Sequence, residues 1–474
     1  MPSSAANTIS FLDRYREIID DWPAFFDAVH APLPQTIWAN TLKTTPAALA
    51  SRLPLKPIAW YPGAFRFNTP VKAATLMPYL AGHYQIQEEA ALLPAFLMQP
   101  KPEDTILDLC AAPGNKTVQM AMMMQSRGLV VANDRSRPRL DILRRSINRL
   151  GLTNIGVTVY DATSYIGAPA SYDHILADVP CTGEGTVRRA KNKMRGISNS
   201  RRQSLQNIQR AILNRAIKLC KPGGRIVYAT CTFAPEENEA VVHAALEHFE
   251  GKIAIVPCAA DGLQTTPGLT SWQGQQYHPD LTLTHRIWPH HNDTGGFFVA
   301  VLKKTGPTTQ LTTSQEEATQ PTHPLAAIAS IFETRFGLPT HAFDGLNLHP
   351  FGKFMAIRSF ERVPAGAPEL ILAGLPFCKP PDKPQKMKTG ASMRWGAMAT
   401  KNVITLTEAQ AFRFGESQEI GLQERQLPDE ATQGYVIARY KDMYLGLGFL
   451  RTNGGEAKLE SLLPKHWVHA LNKL

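Results

Sequence analysis

A parallel α/β sheet wrapped by helices is the fold class predicted for the middle of this 474-residue chain. Three observations predict it. Residues 101–304 alternate short apolar runs with longer helical stretches, as strand–helix–strand units require. Asp108, Asp134, Asp161, Asp178 and Cys231 each fall at or just beyond the carboxyl end of such a run. The stretches ending at Asp178 and Cys231 are separated by a segment long enough for a helical crossover, which makes their strands parallel and their loops neighbours at one sheet edge. In open α/β sheets that edge binds ligands.

The elements follow in order. A helix is expected over Thr8–Val29, where Phe11, Tyr15, Ile18, Trp22, Phe25 and Phe26 recur at near-helical spacing. Ile37–Lys43 reads as a strand, and Thr45–Leu53 as a short helix with a threonine cap. Phe65–Thr69 and His83–Glu88 read as short strands, and Glu89–Met98 as a helix ending before Pro100. Thr105–Cys110 is the first strand of the sheet, Ala111–Lys116 a tight loop, and Thr117–Gln125 the helix it opens. Leu129–Asn133, Gly156–Tyr160, His174–Ala177, Arg225–Tyr228 and Phe297–Leu302 are further strands; Arg137–Leu150 and Pro235–Phe249 are helices. Residues 305–324 are rich in Thr, Gln and Pro and read as a linker. Beyond it, 325–474 is a smaller region with strands at Gly434–Tyr440 and Met443–Leu450. The division expected is therefore 1–100, 101–304, 305–324 and 325–474.

Composition sets bounds. With 43% apolar and 19% charged residues the chain has an ordinary globular make-up. No apolar run approaches bilayer length, and Met1–Ala6 leads into no signal-peptide core, so a cytoplasmic protein without a membrane partner is expected. A formal charge of +10 permits a polyanionic partner without demanding one. The basic stretch Lys379–Arg394 reads equally as a solvated loop or as an RNA-backbone contact. None of the six cysteines forms a C-x-x-C pair, which disfavours both zinc and a disulfide framework, so no metal is expected.

The chemistry lies in the strand-end loops. Pro113-Gly114 lets backbone approach a ligand, and the following helix offers free amides. Asp134 suits two ribose hydroxyls and Asp161 an adenine amine, although either alone reads equally as a loop cap. Together they point to a nucleoside cofactor. Cys220, before Lys221-Pro222-Gly223-Gly224, reads as core filler, whereas Cys181 and Cys231 stand in polar loops at the ligand edge. A thiolate there can add to an electron-poor ring. Chemistry alone does not rank the two thiols, because DNA cytosine methyltransferases use a Pro-Cys cysteine as nucleophile.

Leu107–Thr117, Asp178–Gly185 and Ala229–Thr232 resemble, in order, the signature motifs of the RNA cytosine-5 methyltransferases of the Sun/Nop2 family. The likeness extends over about residues 35–304. The tail, with Gly434–Leu450 and Leu463-Pro464-Lys465, resembles the PUA-like end of the bacterial small-subunit rRNA methyltransferase F group. The resemblance implies a Rossmann-like, S-adenosylmethionine-dependent sheet, an α+β RNA-binding lead-in and a β-rich C-terminal RNA-binding domain. It implies methylation of C5 of a cytosine in RNA, with 16S rRNA or the small ribosomal subunit as partner and a monomeric enzyme. Methylation of tRNA, and a non-catalytic assembly factor, are the alternatives. Cys110, Ala111, Ala112, Pro113, Gly114, Asn115 and Lys116 would line the cofactor pocket; Asp134 would hold the ribose, Asp161 the adenine side, and Asp178 would lie between cofactor and base. Cys231 would be the nucleophile and Cys181 would serve product release. A protonated Asp178 at the ring N3 edge would stabilise developing charge, with Lys116 orienting it. Three positions depart from the pattern: Asn115 for a second glycine, Trp38 for an arginine, and Ala190–Arg195 for an Asp-Pro and a later Trp. Asn115 is mild if that position needs a left-handed backbone, which Asn tolerates.

Overall fold

The structure, a computed structural model, describes residues 10–190, 197–308, 318–319, 325–380, 386–427, 433–453 and 456–467. The first expected helix is two. A 3-10 segment, Ser10–Ile18, stops before Asp21, whose side chain caps α1 (Trp22–His30) by accepting from the Ala24 amide at 2.9 Å. Pro23 in the first turn of α1 explains the break, since proline starts a helix more readily than it continues one. Next come β1 (Gln35–Ala39), α2 (Pro46–Ala50, capped by Thr45), β2 (Leu55–Pro57), β3 (Ala64–Phe67), α3 (Met77–Leu80) and β4 (Tyr84–Ile86). They form an antiparallel sheet in the order β2-β3-β1-β4. Strand β1 is shorter than expected because Asn40 leaves the ladder; its side-chain amide donates to the carbonyls of Gly82 and Leu150. Trp38 is 2% exposed and donates its indole N–H to Gln87, so it is core rather than a contact for RNA.

The central sheet begins after α4 (Leu93–Met98). Its units are β5 (Thr105–Asp108), α5 (Asn115–Met123), β6 (Leu129–Asn133), α6 (Arg137–Leu150), β7 (Ile155–Thr158), β8 (Tyr172–Asp178), α7 (Val187–Ala190), α8 (Asn199–Leu219), β9 (Cys220–Thr230) and α9 (Glu239–His248). Then follow β10 (Ile253–Ile255), β11 (Thr266–Pro267), the hairpin β12–β13 (Ser271–Trp272, Gln275–Gln276), β14 (His285–Ile287), α10 (Pro289–Asn292) and β15 (Phe297–Lys304). The spatial order β11-β14-β15-β9-β8-β5-β6-β7 is parallel from β9 to β7. It is mixed overall, because β15 runs antiparallel to β9. An antiparallel edge needs no crossover helix, and the run from β10 to β14 supplies none long enough for one. Both faces are buried, as continuous apolar strands demand. Along β9, Ile226 and Tyr228 pack on the α8–α9 side while Val227 and Ala229 pack against residues of α4, α5 and α6. The chain winds from β5 outward to β7 and returns to β8 on the other side of β5. The strand order reverses there, between β5 and β8.

The C-terminal region does not stand apart. Leu372–Ala373 pairs antiparallel with β7 and extends the central sheet. The helix Thr389–Trp395 lies so close to α6 that a Cβ on Gly390 would sit 2.5 Å from the Asn148 carbonyl oxygen, and Arg394 donates to the Leu42 carbonyl. The region also holds a three-stranded sheet (Asn347–Phe351, Phe354–Arg358, Leu375–Cys378) and a five-stranded one that includes Gly434–Tyr440 and Met443–Asn453. Of the expected linker, residues 309–317 and 320–324 lie outside the described residues, as do 191–195 of the Ala190–Arg195 departure and Lys383 of the basic stretch; Ala318–Thr319 pairs with Arg362–Val363. Among the described residues no helix is long and apolar enough to cross a membrane.

Candidate active site

Everything at the switch point begins with the loop after β5. Gly114 adopts φ +107°, and a Cβ there would meet Leu143 Cδ1 at 2.5 Å, so both backbone and packing require glycine. Asn115 carries no such strain. It is the first residue of α5, and its side-chain oxygen accepts from Gln85 at 2.8 Å. Tolerance of a left-handed backbone is therefore not the reason asparagine is accommodated. The loop is tied to the end of β6: the Ala111 amide donates to the Asn133 carbonyl at 2.7 Å and the Ala112 amide to Asp134 at 3.2 Å.

Asp134 is 5% exposed, and its other oxygen accepts from the Ser136 amide at 2.8 Å. It is a loop cap that also lines the cleft. Asp161 is exposed and uses one oxygen for the Thr163 amide and hydroxyl at 2.8 and 2.6 Å, which holds its carboxyl below the usual range. Its second oxygen takes no bond among the described residues. A cavity of about 440 Å³ runs past Asp134 and Asp161 to Asp178 and the two thiols, with Ile208 and Ile212 on its wall. Carboxylates for hydroxyl and amine donors beside an apolar wall are the donor set that an adenine nucleoside fits.

On the other side of β5, Cys181 follows β8 and Cys231 follows β9, and the sulfur atoms lie 3.3 Å apart as free thiols. The hydrogen bond to Cys231 and burial both hold the Cys181 thiol well above its ordinary pKa. The two loops are cross-linked by polar groups: Thr182 meets Thr232 at 2.6 Å, Glu237 accepts from the Thr182 amide and hydroxyl, and the Gly185 amide donates to the Cys231 carbonyl at 2.9 Å. Beneath them Glu184, 1% exposed, accepts from Tyr15 at 2.6 Å, Arg202 at 3.0 Å and Thr232 at 3.0 Å. Gly185 must be glycine, since a Cβ there would come within 2.2 Å of the Gly296 carbonyl oxygen.

Lys116, from the first turn of α5, donates to Asp178 at 2.7 Å and lies 5.0 Å from the Phe297 ring centre. Burial alone would lower the Lys116 pKa, but the Asp178 carboxylate offsets it and the pKa rises; Cys231 and Asp108 act in the same direction. Asp108 is buried beside this pair, with Thr117 donating to one oxygen at 2.7 Å. A second cavity, about 240 Å³, is lined by Lys116, Glu88, Arg188, Arg189, Gly296 and Phe297. Both cavities include Cys110, Ala112, Pro113, Asp178 and Cys231 in their walls. They are two compartments meeting at Asp178, Cys231 and the Cys110–Pro113 end of the loop, the arrangement a two-substrate transfer requires.

Cys110, Ala112, Pro113, Asp134, Asp161, Asp178, Cys181 and Cys231 thus line the larger cavity; Ala111, Asn115 and Lys116 line only the smaller one, and Gly114 shapes the loop without lining either. Sequence reasoning missed the supports. Glu184 sat inside the quoted Asp178–Gly185 motif, whereas Glu237 lies beyond Thr232 in a run with Glu236 and Glu239 that marks none of them as buried. Tyr15, Arg202 and Gly296 come from distant segments and carried no signal.

The family model described as "16S rRNA methyltransferase RsmB/F" matches residues 95–303. The ribosomal RNA small subunit methyltransferase F of Aeromonas salmonicida is 30% identical over 94% of this chain and 94% of its own length. The tRNA (cytosine(49)-C(5))-methyltransferase of Pyrococcus abyssi is 34% identical over 62% of this chain and 95% of its own. Among solved structures, a methyltransferase homologue from Pyrococcus horikoshii superposes with a TM-score of 0.53 at 28% identity, over 62% of this chain and 99% of that one.

Proposed function

The chain belongs to the 16S rRNA methyltransferase RsmB/F family, within the Sun/Nop2 RNA cytosine-5 methyltransferases, and from that premise we propose that it methylates C5 of a cytosine in 16S rRNA through a covalent adduct on Cys231. It is an enzyme of S-adenosylmethionine-dependent methyl transfer to RNA. The ribosomal target is favoured because the F-type relative is similar along nearly the whole chain, the C-terminal region included, whereas the tRNA enzyme matches only part of it. The single observation that carries the mechanism is the junction of the two cavities at Asp178 and Cys231.

S-adenosylmethionine, when bound, supplies an electrophilic sulfonium methyl group. Asp134 would take its ribose and Asp161 its adenine amine, with the Cys110–Lys116 loop around the remainder. Cytosine would enter the second compartment, flipped out of any stack. The Cys181 and Cys231 sulfur atoms lie 3.3 Å apart, and the Lys116 ammonium adds positive charge near Cys231. Cys231 is assigned as the nucleophile on the family pattern, with Cys181 beside it for release. Cys231 adds to C6, and the electron pair displaced from the C5–C6 double bond makes C5 nucleophilic. The proton that neutralises the N3 edge comes from the Lys116–Asp178 pair. A carboxyl proton on Asp178 alone is not needed, because an ammonium already lies 2.7 Å away. After C5 has taken the methyl group, a base removes the C5 proton, the N3 proton returns to the Lys116–Asp178 pair, and Cys231 departs as a thiolate with the C6–S electron pair, with Cys181 beside the leaving sulfur. These steps call on no metal.

In the proposed division, 1–100 and 325–474 are RNA-binding regions flanking the catalytic one, the latter PUA-like. Bisulfite sequencing of total RNA from a deletion strain tests the target. Loss of one protected cytosine in 16S rRNA supports it; loss only in tRNA would replace it.

A further inference from the structure

Apart from the thiol pair, three metal-ligating side chains converge on one point. His290 and His291, in α10, are 4% and 7% exposed at the side chain, while Asp20, between the 3-10 segment and α1, is largely open to solvent. His290 Nε2 lies 2.8 Å from Asp20 Oδ1, and His291 Nε2 lies 2.9 Å from Oδ2. The donor atoms all fall within 4.8 Å of one another. The imidazoles are held in place by packing: their ring centres are 4.2 Å apart, and Phe25 meets His290 edge-on at 5.8 Å. Each Nδ1 is buried with no partner among the described residues, so each ring presents only its Nε2 to anything it binds.

We infer that Asp20, His290 and His291 form a binding site for one divalent transition-metal ion of the Zn2+ type. Two imidazoles and a carboxylate are borderline donors that suit Zn2+ or Co2+ better than Mg2+ or Ca2+. Three protein ligands and an open solvent side leave the fourth position to water. A tetrahedral ion with bonds of about 2.0–2.1 Å needs its ligand atoms about 3.4 Å apart. With Asp20 Oδ1 as the ligand atom, its spacings of 2.8 Å to His290 Nε2 and 3.2 Å to His291 Nε2 would open by about 0.6 and 0.2 Å. The unpartnered Nδ1 atoms lack the outer hydrogen bonds that raise ligand basicity, so affinity is reduced about 10–100-fold from that of a fully supported site. The ion is a tether with one water-filled position, not a closed four-ligand site. It would tie the segment entering α1 to the turn after α10, where Asp293 pairs with the buried Arg188 at 2.6 Å and Gly295 and Gly296 reach the wall of the second cavity.

The test uses the full chain, stripped with chelator and titrated with Zn2+ against a fluorescent competitor. One equivalent should bind and raise the melting temperature. Asp20→Asn, which changes a solvent-exposed side chain, and His290→Ala/His291→Ala should each weaken binding at least about 10-fold and abolish the thermal shift. Cys181→Ala/Cys231→Ala should still bind one equivalent, which separates this site from the thiol pair. Co2+ should give d–d bands without intense sulfur charge-transfer absorption. If the protein binds no Zn2+, if Asp20→Asn and the double histidine variant bind it unchanged, or if removing both thiols abolishes it, the inference is overturned and the cluster is a hydrogen-bonded clamp.

Discussion

Replacing Asp108 with asparagine should stabilise the protein above neutral pH, although the residue lies at the heart of the site. The carboxyl is 1% exposed, one oxygen is held by Thr117, and the other is buried without a partner among the described residues. Burial pushes its pKa from 3.8 up to about 7, and Asp178 adds to the shift, while Thr117, Lys116 and the Cys110 amide oppose it. Because the folded-state pKa is raised, the native state is unpenalised below about pH 4 and loses stability as pH rises towards 7. At 1.36 kcal/mol per unit, the loss is about 4 kcal/mol when complete. Asparagine removes the titration and keeps an oxygen for Thr117, but it turns an amide donor towards the unpartnered side, at about 1–3 kcal/mol. Net stabilisation at pH 8 should be about 1–3 kcal/mol, changing to net destabilisation at pH 4. Urea unfolding of both proteins at the two pH values measures it. A difference that does not vary with pH, or a variant less stable at pH 8, would refute the assignment of a buried, costly carboxyl. Lower turnover alongside higher stability is the expected companion, since such groups are kept where function needs them.

Three further outcomes follow from the geometry. Asp134→Ala should weaken S-adenosylmethionine binding by roughly 1.5–3 kcal/mol through lost hydrogen bonds to a charged group. It should also lower the melting temperature by freeing the Ala112 and Ser136 amides; an unchanged dissociation constant by calorimetry would leave only the cap. His83 is 2% exposed, and burial, helped by Lys43, pushes its pKa from 6.5 down to about 4. A depressed pKa contributes stability above pH 6.5 that is lost as pH falls towards 4, about 3 kcal/mol in all, so His83→Asn should flatten the acid limb of the stability profile. Gly114→Ala should cost about 1–3 kcal/mol in backbone strain beyond its clash with Leu143, and calorimetry should show impaired cofactor binding; wild-type values for both would contradict the loop geometry.

What could be read from the sequence was local. Strand ends and loops carry their own punctuation, so Asp108, Asp134, Asp161, Asp178 and Cys231 could be gathered at one edge without coordinates. The boundary at Asp21–Pro23 was hidden because the aromatic periodicity runs through it, although the proline that breaks the helix was in view. Strand Leu372–Ala373 is two residues long and gains its place only by pairing with β7, so no pattern within it announces the sheet it joins. Trp38 shows the same limit: a departure from a family motif became a buried side chain whose partner, Gln87, lies 49 positions away. The carboxylate network under the thiols depends on Tyr15 and Arg202, whose proximity is entirely a product of the fold.

The central claim is that Cys231 attacks while Cys181, 3.3 Å away, assists release. Removing Cys181 should leave addition and methyl transfer possible and stall elimination, so that enzyme accumulates joined to its own RNA. A carbon–sulfur bond survives a denaturing gel, whereas the electrostatic contacts of ordinary RNA binding do not. Cys181→Ala should therefore give a slow-migrating, RNase-sensitive band. Cys231→Ala should give none and methylate nothing while still binding S-adenosylmethionine, and the double variant should also give none. A band from Cys231→Ala alone, with none from Cys181→Ala, would contradict the account and exchange the roles of the two thiols.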